Sequence, residues 1–134
     1  MSEQNVEVIR DQFEAVNERD FPRAMDLYAE DVVLVVHSDA FLDAGTFAGR
    51  DAVGRWFGDW FSTFEPDYRF EFEEFRDLGD VVFLAASHRG RGRTSGAEVH
   101  GCTGYLYTLR DGKIVRAELY RSPDEALRAA GLEE

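Results

Sequence analysis

Apolar residues recur at Val6, Ile9, Phe13 and Val16, in steps of three and four, with Glu7, Asp11, Glu14 and Glu18 between them. That period predicts one amphipathic helix over residues 3–18. Asp20 follows as an N-cap, and Pro22 stands in the first turn of a second helix running to about Ala29, with Met25, Leu27 and Tyr28 as its apolar residues. The run VVLVVH (32–37) is continuous and β-branched, as in a strand buried on both faces. Residues 38–49 carry Gly, Asp and Ser without helical period and read as a loop. A third helix opens at Arg50 or Asp51 and reaches about Thr63, with Val53, Trp56, Phe57, Trp60, Phe61 and Phe64 on a broad apolar face. Glu65-Pro66-Asp67 breaks it.

Strict alternation then takes over. In YRFEFEEF (68–75), Tyr68, Phe70 and Phe72 fall on one side and Arg69, Glu71 and Glu73 on the other, the mark of a half-buried strand. Long strands over 81–93, 97–109 and 114–121 are separated by the turns DLGD (77–80), RTSG (93–96) and RDGK (110–113), the last with an Asp-Gly hairpin signal. A final helix has Ser122 as N-cap, Pro123 at its first position, Glu125 as capping-box partner and Gly131 just past its end. The order α-α-β-α-β-β-β-β-α predicts an α+β architecture: helices packed on one face of a curved antiparallel sheet, a half-barrel cone enclosing a pocket. No repeat, linker or low-complexity stretch divides the chain, so residues 1–134 read as a single domain.

Charge and composition narrow the function. With 27 acidic against 15 basic side chains the formal net charge is −12, a field that repels phosphate backbones and anionic membranes. Cys102 is the one cysteine, so no internal disulfide forms, and no metal-ligand spacing or phosphate-binding glycine loop is present. The polar N-terminus and the lack of an apolar run of about 20 residues point to a cytoplasmic protein that engages neither nucleic acid nor membrane. One stretch argues against this, SHRGRGR (87–93), which looks like an Arg-Gly RNA-binding tract. Strand parity divides it, however: Arg89, Arg91 and Arg93 fall on one face, and His88, Gly90 and Gly92 on the other, together with Val82, Leu84 and Ala86. The arginines then face solvent, offsetting acidic charge or meeting a partner. The glycines let the sheet curl, and His88 points inward.

Element order, together with DFPRAMDLYAEDVV (20–33), GTFAGRDAVGRWF (45–57), LRDGKIVRAELY (109–120) and EALRAAGL (125–132), resembles the nuclear transport factor 2-like superfamily, and within it the SnoaL-like branch of polyketide cyclases and ketosteroid isomerases. The resemblance spans nearly the whole chain. It implies a conical α+β barrel with an apolar pocket, often dimeric through the convex sheet face, working without a cofactor on a small apolar or polycyclic molecule. Functions within such a superfamily range from catalysis to pure scaffolding, so the fold alone assigns none. The position where an isomerase keeps its carboxylate base is occupied by Val36, with His37 and Asp39 just beyond. The positions of the two hydrogen-bond donors fall at Gln12 and Tyr105.

These residues define the candidates. His88 is the general acid or base of an isomerase, cyclase or lyase, or else a hydrogen-bonded histidine at the rim. Tyr105 is a donor to a carbonyl or enolate oxygen. Gln12, Phe13, Tyr28, Val36, His37, Asp39, Trp56, Phe57, Trp60 and Tyr107 make up the expected pocket, with the two tryptophans exceeding what a small core needs. Thr103, Tyr105 and Tyr107 share the inward parity, which puts His100 and Cys102 on the convex face; a His88–His100 dyad needs the other register or a bulge. The readings left open are a proton-transfer enzyme, a non-catalytic apolar-ligand binder, and a homodimeric scaffold.

Overall fold

The computed structural model describes residues 2–37 and 44–131. Helix α1 (Ser2–Asn17) follows the predicted stripe: Ile9, Phe13 and Val16 are buried, and Asp11 and Glu14 are exposed. Helix α2 (Phe21–Met25) is shorter than the sequence suggests. Asp20 caps it through its side chain, which accepts from Arg23 N. It stops at Asp26 because Leu27 is already committed to the sheet, its carbonyl accepting from Ile114 N at 2.9 Å. Residues 28–31, expected at a helix end, therefore open strand β1 (Tyr28–Val36). Val32, Leu34 and Val36 are buried, while Val33 and Val35 on the other face are only half-buried.

The predicted loop 38–49 contains a strand, β2 (Gly45–Ala48), antiparallel to β1. Four residues are too few for alternation to show in a sequence. Helix α3 (Arg50–Ser62) and strands β3 (Arg69–Asp77), β4 (Val81–Arg91), β5 (Glu98–Arg110) and β6 (Lys113–Tyr120) follow, then helix α4 (Pro123–Ala129). Six strands form one sheet in the order β2-β1-β6-β5-β4-β3. The β3–β6 meander is antiparallel throughout, but β1 lies parallel to β6, so the sheet is mixed.

The main core fills the concave side, where Phe13, Trp56, Phe57, Leu84, Tyr105 and Leu119 pack together. A smaller cluster occupies the outer face, where α4 covers Phe83, Ala85, Leu106 and Tyr120. Ser122 caps α4 by accepting from Glu125 N, with Pro123 in the first turn and Gly131 at φ 77° beyond the end. Contact with β5 is close enough that a Cβ at Gly104 would stand 2.7 Å from Ser122 O.

The Arg-Gly stretch is strand as far as Arg91; Gly92 forms a single bridge to Phe64 and Arg93 begins the turn, so the strand expected over 81–93 ends two residues early. Of its arginines, Arg91 donates to Glu98 across the β4–β5 hairpin. Arg93 donates to Ser62 O and Phe64 O, satisfying carbonyls at the end of α3. Two of the three expected outward arginines are thus used within the chain. Gly90 is required sterically, since a Cβ there would lie 2.7 Å from Tyr68 Cα. Gly90→Ala is therefore expected to destabilise by about 1–3 kcal/mol through forced backbone movement. Gly58→Ala, in open space on α3, is expected to stabilise by about 0.5–1 kcal/mol. Denaturant titration of the two variants checks both signs.

Candidate functional site

Between α1, α3 and the concave sheet lies a cavity of about 10 Å³, room for one water molecule. Phe13 supplies one wall, and Trp56, Phe57 and Trp60 from α3 a second. The sheet contributes Tyr68, Phe70, His88, Thr103, Tyr105 and Leu119. Among the described residues that line it there is no carboxylate. Trp56 and Trp60 stack at 5.8 Å with an interplanar angle of 5°, and the half-buried Trp60 forms the rim.

A chain of hydrogen bonds runs through the rim. Trp60 Nε1 donates to the Tyr68 hydroxyl at 3.0 Å, and that hydroxyl lies 2.9 Å from His88 Nδ1. Indole N–H can only donate, so one lone pair of Tyr68 is occupied and its proton needs an acceptor. His88 Nδ1 provides it, which fixes the imidazole as the Nε2–H tautomer. The reverse arrangement, with Nδ1–H donating, would leave a largely buried hydroxyl proton unpartnered, at about 1–3 kcal/mol. Burial lowers the His88 pKa, and the neighbouring His100 lowers it further, so the ring is held neutral. Its Nε2 lies over Gly101, where a Cβ would approach to 2.9 Å.

A second pair sits deeper. The Thr103 hydroxyl is 2.8 Å from the Tyr105 hydroxyl and 3.4 Å from Ala86 O. The shorter contact is the stronger, and donation from Thr103 lowers a Tyr105 pKa that burial raises. With Thr103 donating to it, the Tyr105 hydroxyl has a proton to offer a ligand; with Thr103 turned to Ala86 O, that proton goes to Thr103 instead.

Of the expected pocket residues, Phe13, Trp56, Phe57, Trp60, His88 and Tyr105 meet around the cavity. Val36 is buried in the core. Gln12, Tyr28 and Tyr107 are fully buried but do not reach the cavity wall. His37 is turned to the opposite face: it is exposed, bonds Glu118 at 2.9 Å and stacks on Tyr120 at 4.4 Å. Alternation requires this, because Val36 points inward. Asp39 lies outside the described residues. His100 pairs with Arg89 in the ladder and is exposed, so no His88–His100 dyad forms across the pocket. Tyr68 and Thr103 were not singled out from the sequence, although both carry inward parity. Among the described residues no cluster of three or more His, Cys, Asp or Glu side chains could hold a metal ion, and no helix is long and apolar enough to cross a membrane.

Residues 9–117 match the family model described as SnoaL-like domain. No curated protein matches the chain. Among solved structures, an NTF2-like protein of unknown function from Burkholderia pseudomallei K96243 is similar at 22% identity and TM-score 0.76, over 93% of this chain and 95% of that one. TerC, co-crystallised with polyporic acid, is similar at 20% identity and TM-score 0.77, over 96% and 97%. A putative SnoaL-like polyketide cyclase from Jannaschia sp. CCS1 is similar at 20% identity and TM-score 0.79, over 89% and 85%.

Neutral burial of His88 has a measurable consequence. The unfolded imidazole takes up a proton below about pH 6.5, which the folded site resists, so stability is lost as the pH falls through that region. Between about pH 7.5 and 5.5, the thermal midpoint of the wild type should fall relative to that of His88→Asn, whose side chain does not titrate. A constant difference across the range would show that His88 is not held neutral.

Proposed function

From a chain that belongs to the SnoaL-like domain family, we propose a small-molecule pocket protein that needs no cofactor and binds a small, flat, largely apolar carbonyl compound. The ligand's oxygen would be held by the Nε2–H of His88 and the O–H of Tyr105. The observation that carries this reading is the Trp60–Tyr68–His88 chain, which supports a fixed donor in an otherwise aromatic wall. A flat ligand suits the parallel indoles of Trp56 and Trp60. Because the cavity has room for about one water, entry would displace this stack. Similarity to TerC, which was co-crystallised with polyporic acid, is in keeping with a fold that accommodates small organic molecules.

The same two donors would stabilise an enolate, which keeps a proton-transfer isomerase or cyclase as the second reading. That reading needs a base, and His88 serves as one only with its proton moved to Nδ1. The proposal extends to a homodimer through the outer face, where Arg89 is exposed opposite Arg69, with Glu71 paired to Ser87 two residues along the strand. Light scattering checks this, and a monomer at micromolar concentration removes it.

Both tryptophans of the chain line the cavity, so their fluorescence reports occupancy. Acetophenone is expected to quench it saturably, and His88→Ala and Tyr105→Phe each to weaken binding about tenfold. No saturable quenching in the wild type overturns the pocket; unchanged affinity in both variants overturns the donor pair. Deuterium exchange into the acetophenone methyl group in D2O, lost in His88→Ala, would favour proton transfer over binding alone.

A further inference from the structure

Beyond the cavity wall, the hydroxyls of Tyr28 and Tyr107 and both polar atoms of Gln12 are buried without a hydrogen-bond partner among the described residues. They are neighbours of the cavity. Tyr107 stacks on Tyr105 at 5.9 Å and 16°, and Tyr28 lies against Phe57 at 6.2 Å. Phe13, next to Gln12 on α1, meets Tyr105 and Tyr107 edge-on at 5.5 and 6.2 Å. Each unpartnered group thus stands beside or behind a residue that lines the cavity. Along β5, Tyr107 is two residues past Tyr105, about 7 Å further from His88.

Burying polar atoms unpaired is unfavourable, and a phenylalanine at 28 or 107 would fill nearly the same volume without that loss. We infer that Tyr28 and Tyr107, with Gln12, form a second polar station for the same ligand, which therefore carries a second oxygen, hydroxyl or carbonyl, at the end opposite the one held by His88 and Tyr105. The inference rests on the reading that the cone takes a ligand. Phe13 and Phe57 would part to admit the far end, where the oxygen would accept from the tyrosine hydroxyls or the Gln12 amide N–H, and a ligand hydroxyl would in addition donate to the Gln12 amide oxygen or a tyrosine oxygen.

Calorimetric titration with acetophenone and 4-hydroxyacetophenone tests it, on the wild type and on the double variant Tyr28→Phe/Tyr107→Phe. Expected is a preference of about tenfold for the 4-hydroxy compound in the wild type, collapsing to near unity in the double variant. The unliganded double variant is expected to unfold at the same or a higher temperature, having lost two unsatisfied groups. Equal affinities in the wild type, or a preference that survives the double substitution, overturn the second station alone. A lower unfolding temperature with no change in preference assigns the groups to a structural water and overturns it too. Failure of the wild type to bind either compound overturns the pocket reading and this inference with it.

Discussion

The hydroxyl of Tyr68 is the joint on which the concave side is assembled. Tyr68 immediately precedes β3, and its backbone presses against Gly90 of β4, where no side chain fits. From the other side the end of α1 grips the same segment. Asn17 exchanges two hydrogen bonds with the backbone of Phe70, and Arg19 donates to Pro66 O and Tyr68 O while lying 4.7 Å over Phe61. Arg19 holds φ 63°, a conformation usually given to glycine. Its guanidinium contacts offset that strain. So placed, the hydroxyl reaches an indole on one helix and an imidazole on another strand, and decides which imidazole nitrogen carries the proton.

Chemistry and charge are kept apart in this molecule. Among the described residues no carboxylate lines the cavity, whose wall is aromatic apart from Leu119, Thr103 and the His88 imidazole. Glu118, less exposed than the other ion-paired glutamates, lies on the outer face, where His37, Arg116 and Tyr120 hold its pKa down against the effect of burial. In a medium without nearby charge, a neutral donor interacts strongly with a carbonyl oxygen, and nothing competes for it.

Much of this was legible in residue order. The antiparallel meander, the caps of α4 and the inward parity of His88 and Tyr105 follow from alternation and from short-range capping chemistry. The boundary between α2 and β1 was not legible. Met25, Leu27 and Tyr28 continue an apolar helical spacing, and only pairing with Ile114, far along the chain, draws residues 27 and 28 into the sheet. The role of Tyr68 was hidden for a related reason: its reach to His88 depends on the β3–β4 register and on a close approach at Gly90. The position of His37 was within reach, since the alternation that buries Val36 turns its neighbour outward.

The parallel seam between β1 and β6 bears on how the chain acquires this shape. One partner lies within the first 36 residues and the other spans residues 113–120. During synthesis the early helices and β1 must wait, with Val32, Leu34 and Val36 lacking their eventual neighbour, until most of the chain has been made. Such non-local pairing slows folding and prolongs the exposure of strand edges. The five-residue α2 has little stability of its own and cannot shield β1 meanwhile. In the cell, vulnerability to aggregation should therefore concentrate in the interval before the last hairpin closes.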